Sequence, residues 1–208
     1  MEPRDNYLTQ VRQAKKYFLR YDPRELAAKR GVRAEGDYLY TRMLSREYRI
    51  CLHDGAVHRL DRDGWQNTES HGEVMTLLDL VCDSKENRYV SGRWKQMTSF
   101  GLLFHQEMME TGRDPFLAQL EANPDAFCRT CRALSAQPMA GGDISYAIEL
   151  FDGLCVWLQY WQGDEEFPSQ LRWLWDENAL MYLKYETMYF ALNLLRQRIR
   201  ELIKEDSV

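Results

Sequence analysis

Residues 142–176, GDISYAIELFDGLCVWLQYWQGDEEFPSQLRWLWD, constrain the fold more than any other part of the chain. Asp152-Gly153 suits a two-residue type I′ turn, in which both central positions need positive φ. The apolar runs Ile144–Phe151 and Leu154–Trp161 flank it, so the stretch predicts a β-hairpin. If Phe151 and Leu154 close the turn, alternation puts Ile144, Tyr146, Ile148, Leu150, Cys155, Trp157 and Trp161 on one face. Ala147, Phe151, Leu154, Val156, Leu158 and Tyr160 then share the other with Ser145 and Glu149. Neither face is polar, which predicts strands central in a sheet and covered on both sides. Residues 170–175 predict a third strand, with Leu171, Trp173 and Trp175 together and an acidic turn, GDEEFP, ahead of it.

The rest of the chain mixes helical and strand patterns. Tyr7, Val11, Ala14, Phe18 and Tyr21 recur at helical spacing and predict a helix over residues 5–21. Asp22-Pro23 with Glu25 marks the start of a short helix that Gly31 ends. Residues 37–43 and 46–53 predict two strands, and Asp54-Gly55 turns into a short third one ending near Leu60. Being less apolar, this unit belongs towards the sheet edge, and residues 61–68 read as a polar connection. Ser70 and Glu73 form a capping box ahead of a helix burying Val74, Leu77, Leu78, Val81 and Cys82, with a charged loop over 83–87. Residues 89–97 have no clean period; Gly92 and Arg93-Trp94-Lys95 predict an irregular segment lying against something flat or anionic. Ser99 caps a predicted helix over 100–110 whose apolar face is Phe100, Leu103, Phe104 and Met108. Asp114-Pro115 and Asn123-Pro124 start two more. After Asp176 comes a helical turn, then a last helix over 186–204 with Met188, Leu192, Leu195, Ile199 and Leu202 as its buried stripe. The expectation is a single α+β domain over 1–208, with a mostly antiparallel sheet whose central strands are covered by helices on both faces.

Several classes are argued against. No apolar run approaches the ~20 residues of a membrane span, and the polar start MEPRDNYLTQ offers no secretory apolar core. Five cysteines, an odd number, do not suggest a secreted disulfide framework, so the chain reads as cytoplasmic. A net charge of −5 argues against nucleic-acid binding. The basic runs at 12–20 and 196–204 fall on amphipathic helices and read as solvated faces. No nucleic-acid or membrane partner is expected, and protein partners stay open.

Chemical signals are sparse. Cys128 and Cys131 make a Cys-x-x-Cys, but no second pair completes a metal site, and Cys131 shares helical spacing with Phe127 and Leu134, which favours burial. His53, His58, His71 and His105 show no ligand spacing, although His53 and His58 can face each other across the Asp54-Gly55 turn. No P-loop, G-x-G-x-x-G or G-x-S-x-G occurs. Asp164, Glu165 and Glu166, together with Asp176, offer carboxylates for a hard cation or acid–base chemistry if they converge at one sheet edge. Turn formation, solvent exposure and helix capping account for the same residues. Trp157, Trp161, Trp173 and Trp175 suit either a flat-ligand pocket or a core.

The block Trp161-Gln162-Gly163-Asp164-Glu165-Glu166-Phe167-Pro168, followed by Trp175-Asp176 and Ala179-Leu180-Met181-Tyr182-Leu183, resembles a family of anaerobic bacteria and archaea known only as a domain of unknown function. Val90-Ser91-Gly92-Arg93-Trp94 and Gly142-Asp143 extend the resemblance, which covers about residues 20–203. Some members of that family carry an iron–sulfur segment resembling part of the corrinoid iron–sulfur protein; this chain has no such Cys-rich segment. Members usually place a proline-bearing connection where this chain has Asp152-Gly153. The resemblance implies a context of anaerobic cofactor or tetrapyrrole metabolism and no mechanism. The leading expectation is a small-molecule or cofactor-handling module, its ligand drawn from Arg93, Trp94, Lys95, Trp161, Asp164, Glu166, Trp175 and Asp176. No cofactor is specified and no metal ligand assigned. The alternatives are a metal-assisted enzyme using the acidic turn and a non-catalytic interaction domain docking through its first or last helix.

Overall fold

The structure, a computed structural model, describes residues 3–101 and 115–205. Among these residues the strands form two five-stranded antiparallel sheets beside six helices, an α+β architecture. The first sheet is a meander in sequence order: β1 (Val32–Glu35), β2 (Tyr38–Met43), β3 (Arg46–Cys51), β4 (Val57–Asp61) and β5 (Gly64–Thr68). The unit expected at the edge of a single sheet is therefore a sheet of its own, and residues 61–68 are not a connection. They complete β4 and form β5, paired from Val57↔Thr68 to Asp61↔Gly64. Their polarity misled because polar side chains along these strands are satisfied by one another. Arg59 donates to Asp61, and both Arg59 and Thr68 donate to the buried carboxylate of Glu73, at 2.9 and 2.6 Å.

The second sheet runs β6 (Trp94–Gln96), β10 (Gln170–Asp176), β9 (Leu154–Trp161), β8 (Ile144–Phe151) and β7 (Gln137–Pro138), so the predicted hairpin does sit at its centre. Phe151 pairs with Leu154 as expected, with Asp152 at φ 44° and Gly153 at φ 82°. Beyond the turn a β-bulge between Glu149 and Phe151 takes up Leu150, and the register becomes Ile148↔Val156 and Ala147↔Trp157. That one-residue slip corrects the predicted faces. Ile144, Tyr146 and Ile148 share a face with Val156, Leu158 and Tyr160, continued by Leu171, Trp173 and Trp175 on β10. Ser145, Ala147 and Glu149 share the other with Cys155, Trp157 and Gln159. The displaced Leu150 carbonyl accepts the Leu44 N–H from the β2–β3 turn at 3.0 Å, so the bulge also ties the two sheets together.

The helices are α1 (Pro3–Phe18), α2 (Pro23–Ala28), α3 (His71–Cys82), α4 (Pro115–Ala122), α5 (Pro124–Ala133) and α6 (Tyr185–Glu205). Phe116 of α4 lies 5.4 Å from the Trp173 ring and the Arg196 guanidinium of α6 lies over that ring at 5.2 Å, which places these helices on the core face of the second sheet. Met188, Leu192, Leu195 and Ile199 of α6 are buried as the pattern predicts. Asp22 and Asn123 cap α2 and α5 through Arg24 and Ala126 N–H groups. Ser70 makes no such bond: Glu73, expected to complete its capping box, is recruited into the first sheet instead, where it also accepts from the Tyr48 hydroxyl. Short 3₁₀ turns occupy Met97–Phe100 and Ala179–Met181. The predicted helix over 100–110, with His105, lies outside the described residues beyond Gly101, as does Asp114.

Candidate functional site

Strand β10 separates the residues that composition singled out. At its start, Asp164 is exposed and accepts the Glu166 and Phe167 N–H groups at 2.9 and 2.7 Å, while its own N–H donates to the Phe167 carbonyl. These backbone donors hold the Asp164 carboxyl below the usual carboxylate range. Trp161 is nearby, half-buried, with the Arg172 guanidinium over its ring at 5.0 Å. At the other end Asp176, 2% exposed, accepts the N–H groups of Ser91, Gly92 and Asn178 at 2.8–2.9 Å. Arg93 and Lys95 pair with Glu177, Trp94 stands edge-on to Trp157 at 5.3 Å, and Trp175 is fully buried. The 93–95 triplet thus lies against a flat ring and an anion, both belonging to the protein.

A seven-residue strand spans roughly 20 Å, so Asp164 and Glu166 do not meet Asp176. This overturns the convergence on which the metal-assisted reading depended. Among the described residues no three His, Cys, Asp or Glu side chains are grouped to hold one ion. Cys131 is fully buried and Cys128 half-buried on α5. His53 stands 3.1 Å from Asp37 and His58 packs edge-on to Tyr38, each with its own partner. An open hollow of about 690 Å³ adjoins the acidic turn, lined in part by Tyr160, Asp164 and the 64%-exposed Phe167.

A second candidate site lies where α1, α3 and the start of α6 meet, around a cleft of about 400 Å³. Ala14, Met75, Leu78 and Phe190 supply apolar walls, and Gln10 and Gln13 line the α1 side. Asp79 and Asp83 stand four residues apart at the end of α3, which puts both carboxylates on one face. Asp79 Oδ2 accepts the Lys184 N–H at 2.8 Å and so caps α6 from another helix. Asp83 Oδ1 accepts from the Tyr21 hydroxyl at 2.6 Å, with the Tyr17 hydroxyl 3.2 Å from the same oxygen. The Lys184 ammonium bridges the pair, donating to Asp83 Oδ2 and lying 3.2 Å from Asp79 Oδ1.

The two carboxyls are driven apart. Burial pushes Asp79 up, more than the Thr187 and Lys184 contacts lower it. Burial acts on Asp83 in the same direction, but the Lys184 and Tyr21 hydrogen bonds outweigh it and hold that carboxyl low. Burial and the bond to Asp83 raise Tyr21. Asp79 Oδ1 is buried and has no hydrogen-bond partner in spite of its proximity to Lys184. Two proton acceptors with opposed affinities beside an ammonium and two phenols suit ligand recognition and proton exchange.

The cluster is hidden in the sequence because Asp83 lies in a charged run and Asp79 on a helix whose pattern is dominated by its apolar face. The available signal was two like charges at i, i+4 on an otherwise apolar helix, an arrangement that costs helix stability unless a cation compensates.

No curated protein and no solved structure matched the chain. Residues 22–198 do match a family, and that span includes Asp79, Asp83, Lys184, both ends of β10 and all of both sheets. The chain belongs to the family described as Domain of unknown function (DUF3786).

Proposed function

We propose that the protein binds a small molecule in the cleft between α1, α3 and α6. The observation that carries this reading is Asp79. Its side chain is nine-tenths buried and its Oδ2 is occupied in capping α6, yet Oδ1, on a residue that lines the cleft, makes no hydrogen bond. The cation nearest that oxygen is the Lys184 ammonium at 3.2 Å, on a side chain that is 59% exposed, so a ligand donor can improve on the pairing the protein itself provides. Apolar walls beside a few convergent polar groups are the usual composition of a small-molecule pocket. Of the residues first singled out on and beside β10, Asp164 and Asp176 accept backbone N–H groups and Arg93 and Lys95 pair with Glu177, and in this reading they serve to hold the second sheet together.

A fragment screen by protein-observed NMR tests it. Ligands should shift signals of Met75, Leu78 and Phe190, and Asp79→Asn, which keeps an oxygen to cap α6, should weaken them. Hits confined to the hollow beside the acidic turn and indifferent to Asp79→Asn would refute the assignment.

A further inference from the structure

We infer that the cleft takes an organic ammonium ion, an amine bearing an apolar arm; this rests on the small-molecule reading above and specifies its ligand. The first ground is charge. Among the residues lining the cleft are three carboxylates, Asp79, Asp83 and Glu186, against the single ammonium of Lys184. The nearby Lys29 ammonium does not redress this, because it is committed to the Val81, Cys82 and Ser84 carbonyls at 2.6–3.0 Å. The positive end of α6 is likewise met by Asp79 Oδ2. The cleft is left with negative charge in a partly desolvated setting, where charge is felt more strongly than in water.

The second ground is that the protein displays the binding mode with its own side chain. The Lys184 ammonium sits between Asp79 and Asp83 and 5.8 Å from the centre of the Tyr17 ring, a carboxylate pair with an aromatic face beside it. Yet the Lys184 side chain is 59% exposed and has a free path to solvent, whereas Asp79 is 6% exposed. An incoming amine can take the place of the Lys184 ammonium, donate to the Asp79 Oδ1 that Lys184 meets only as an ion pair, and lay its apolar arm on Met75, Leu78 and Phe190. Lys184 is a resident stand-in in this scheme and a competitor of the ligand.

Calorimetric titration of the full chain with 2-phenylethylamine, 2-phenylethanol and phenylacetate tests the inference. The amine should bind about tenfold or more tighter than the alcohol or the acid, and Asp83→Asn should cost it about tenfold. Lys184→Gln should tighten amine binding severalfold by removing the competitor. Glu186→Gln, on the exposed rim, should weaken it about twofold without touching the buried pair and serves if Asp83→Asn fails to fold. Equal or tighter binding of the alcohol or the acid, or weaker amine binding in Lys184→Gln, would overturn the ammonium assignment while leaving the cleft a ligand site. Failure of the amine to bind where the fragment screen gives cleft hits also removes the ammonium assignment alone. No binder of any kind in the cleft removes both.

Discussion

The Arg88 guanidinium, 3% exposed, donates to Asp152 Oδ2 at 3.0 Å and so anchors the tip of the central hairpin from outside the sheet. The same guanidinium donates to Ser84 Oγ and to the Arg30 and Lys85 carbonyls, and lies 5.5 and 5.6 Å from the Phe151 and Tyr182 ring centres. Arg30 stands 3.6 Å from the same Asp152 oxygen and keeps that half-buried carboxylate partnered, so losing Arg88 removes charge-assisted hydrogen bonds, at a cost of about 2–3 kcal/mol, and leaves no stranded charge. Arg88→Met should lower the free energy of urea unfolding by that amount. Asp152→Asn should cost less, because asparagine tolerates the positive φ of the turn and retains an oxygen for Arg88. Equal losses in the two variants would show that the charge of Asp152 matters more than its geometry.

Two glycines are fixed by space. A Cβ on Gly142 would lie 2.5 Å from the Tyr160 carbonyl oxygen, at φ +87°, and one on Gly163 would lie 2.5 Å from the Ser169 nitrogen. Both obstacles are backbone and cannot swing away. Gly142→Ala and Gly163→Ala should each destabilise the protein by ~2 kcal/mol or more, whereas Gly36→Ala, which meets no atom within 4 Å, should cost about 1 kcal/mol through its φ of +56° alone. Thermal melts of the three variants check the order.

Acid sensitivity should trace in part to Asp61. Hydrogen bonds from Arg59 hold its carboxyl below the usual range in the folded chain, outweighing burial. A depressed folded pKa gives stability that is present above the unfolded value of about 3.9 and disappears as pH falls through the lower folded value. Asp61→Asn should therefore be less stable than the parent at neutral pH and show a flatter loss of stability below about pH 4. Urea midpoints measured from pH 7 down to the acid transition provide the comparison; parallel acid limbs would discount this pair.

Cys155 should be a sluggish thiol. Burial, with Glu149 and Asp176 adding to it, pushes its pKa up to about 11. Only the thiolate reacts, so alkylation by iodoacetamide at this site should rise about tenfold per pH unit through the range 7–10. Glu149→Gln should speed the reaction at pH 8. Peptide mapping isolates Cys155 from the other four cysteines; a rate that levels off near pH 8 would contradict the predicted burial effect.

Local signals carried much of the fold. The Asp152-Gly153 turn, the proline-initiated helices at Pro23 and Pro124, and the stripe of α6 depend on neighbours in sequence and were readable from it. What was hidden depends on partners far along the chain. No local pattern announces that Leu150 is the extra residue of a bulge, because its carbonyl is claimed by Leu44, more than 100 positions away. Nor does the sequence show that Glu73 leaves its capping box for Arg59 and Thr68. The cleft was the hardest to see. Asp79 and Lys184 are 105 positions apart, and only the docking of α3 against the start of α6 makes them one cluster. The acidic turn drew attention because its charges are contiguous; contiguity in sequence proved a poor guide to convergence in space.

The family match begins at residue 22, after α1 has ended, yet Gln10, Gln13, Ala14 and Tyr17 of α1 form one wall of the cleft. The anionic pair and its lysine thus lie within the matched span, and the surface facing them is furnished by a helix outside it. Shape and charge at the site are encoded in different stretches of the chain. On the proposed reading, a substitution in α1 would reshape the cleft wall while leaving Asp79, Asp83 and Lys184 in place.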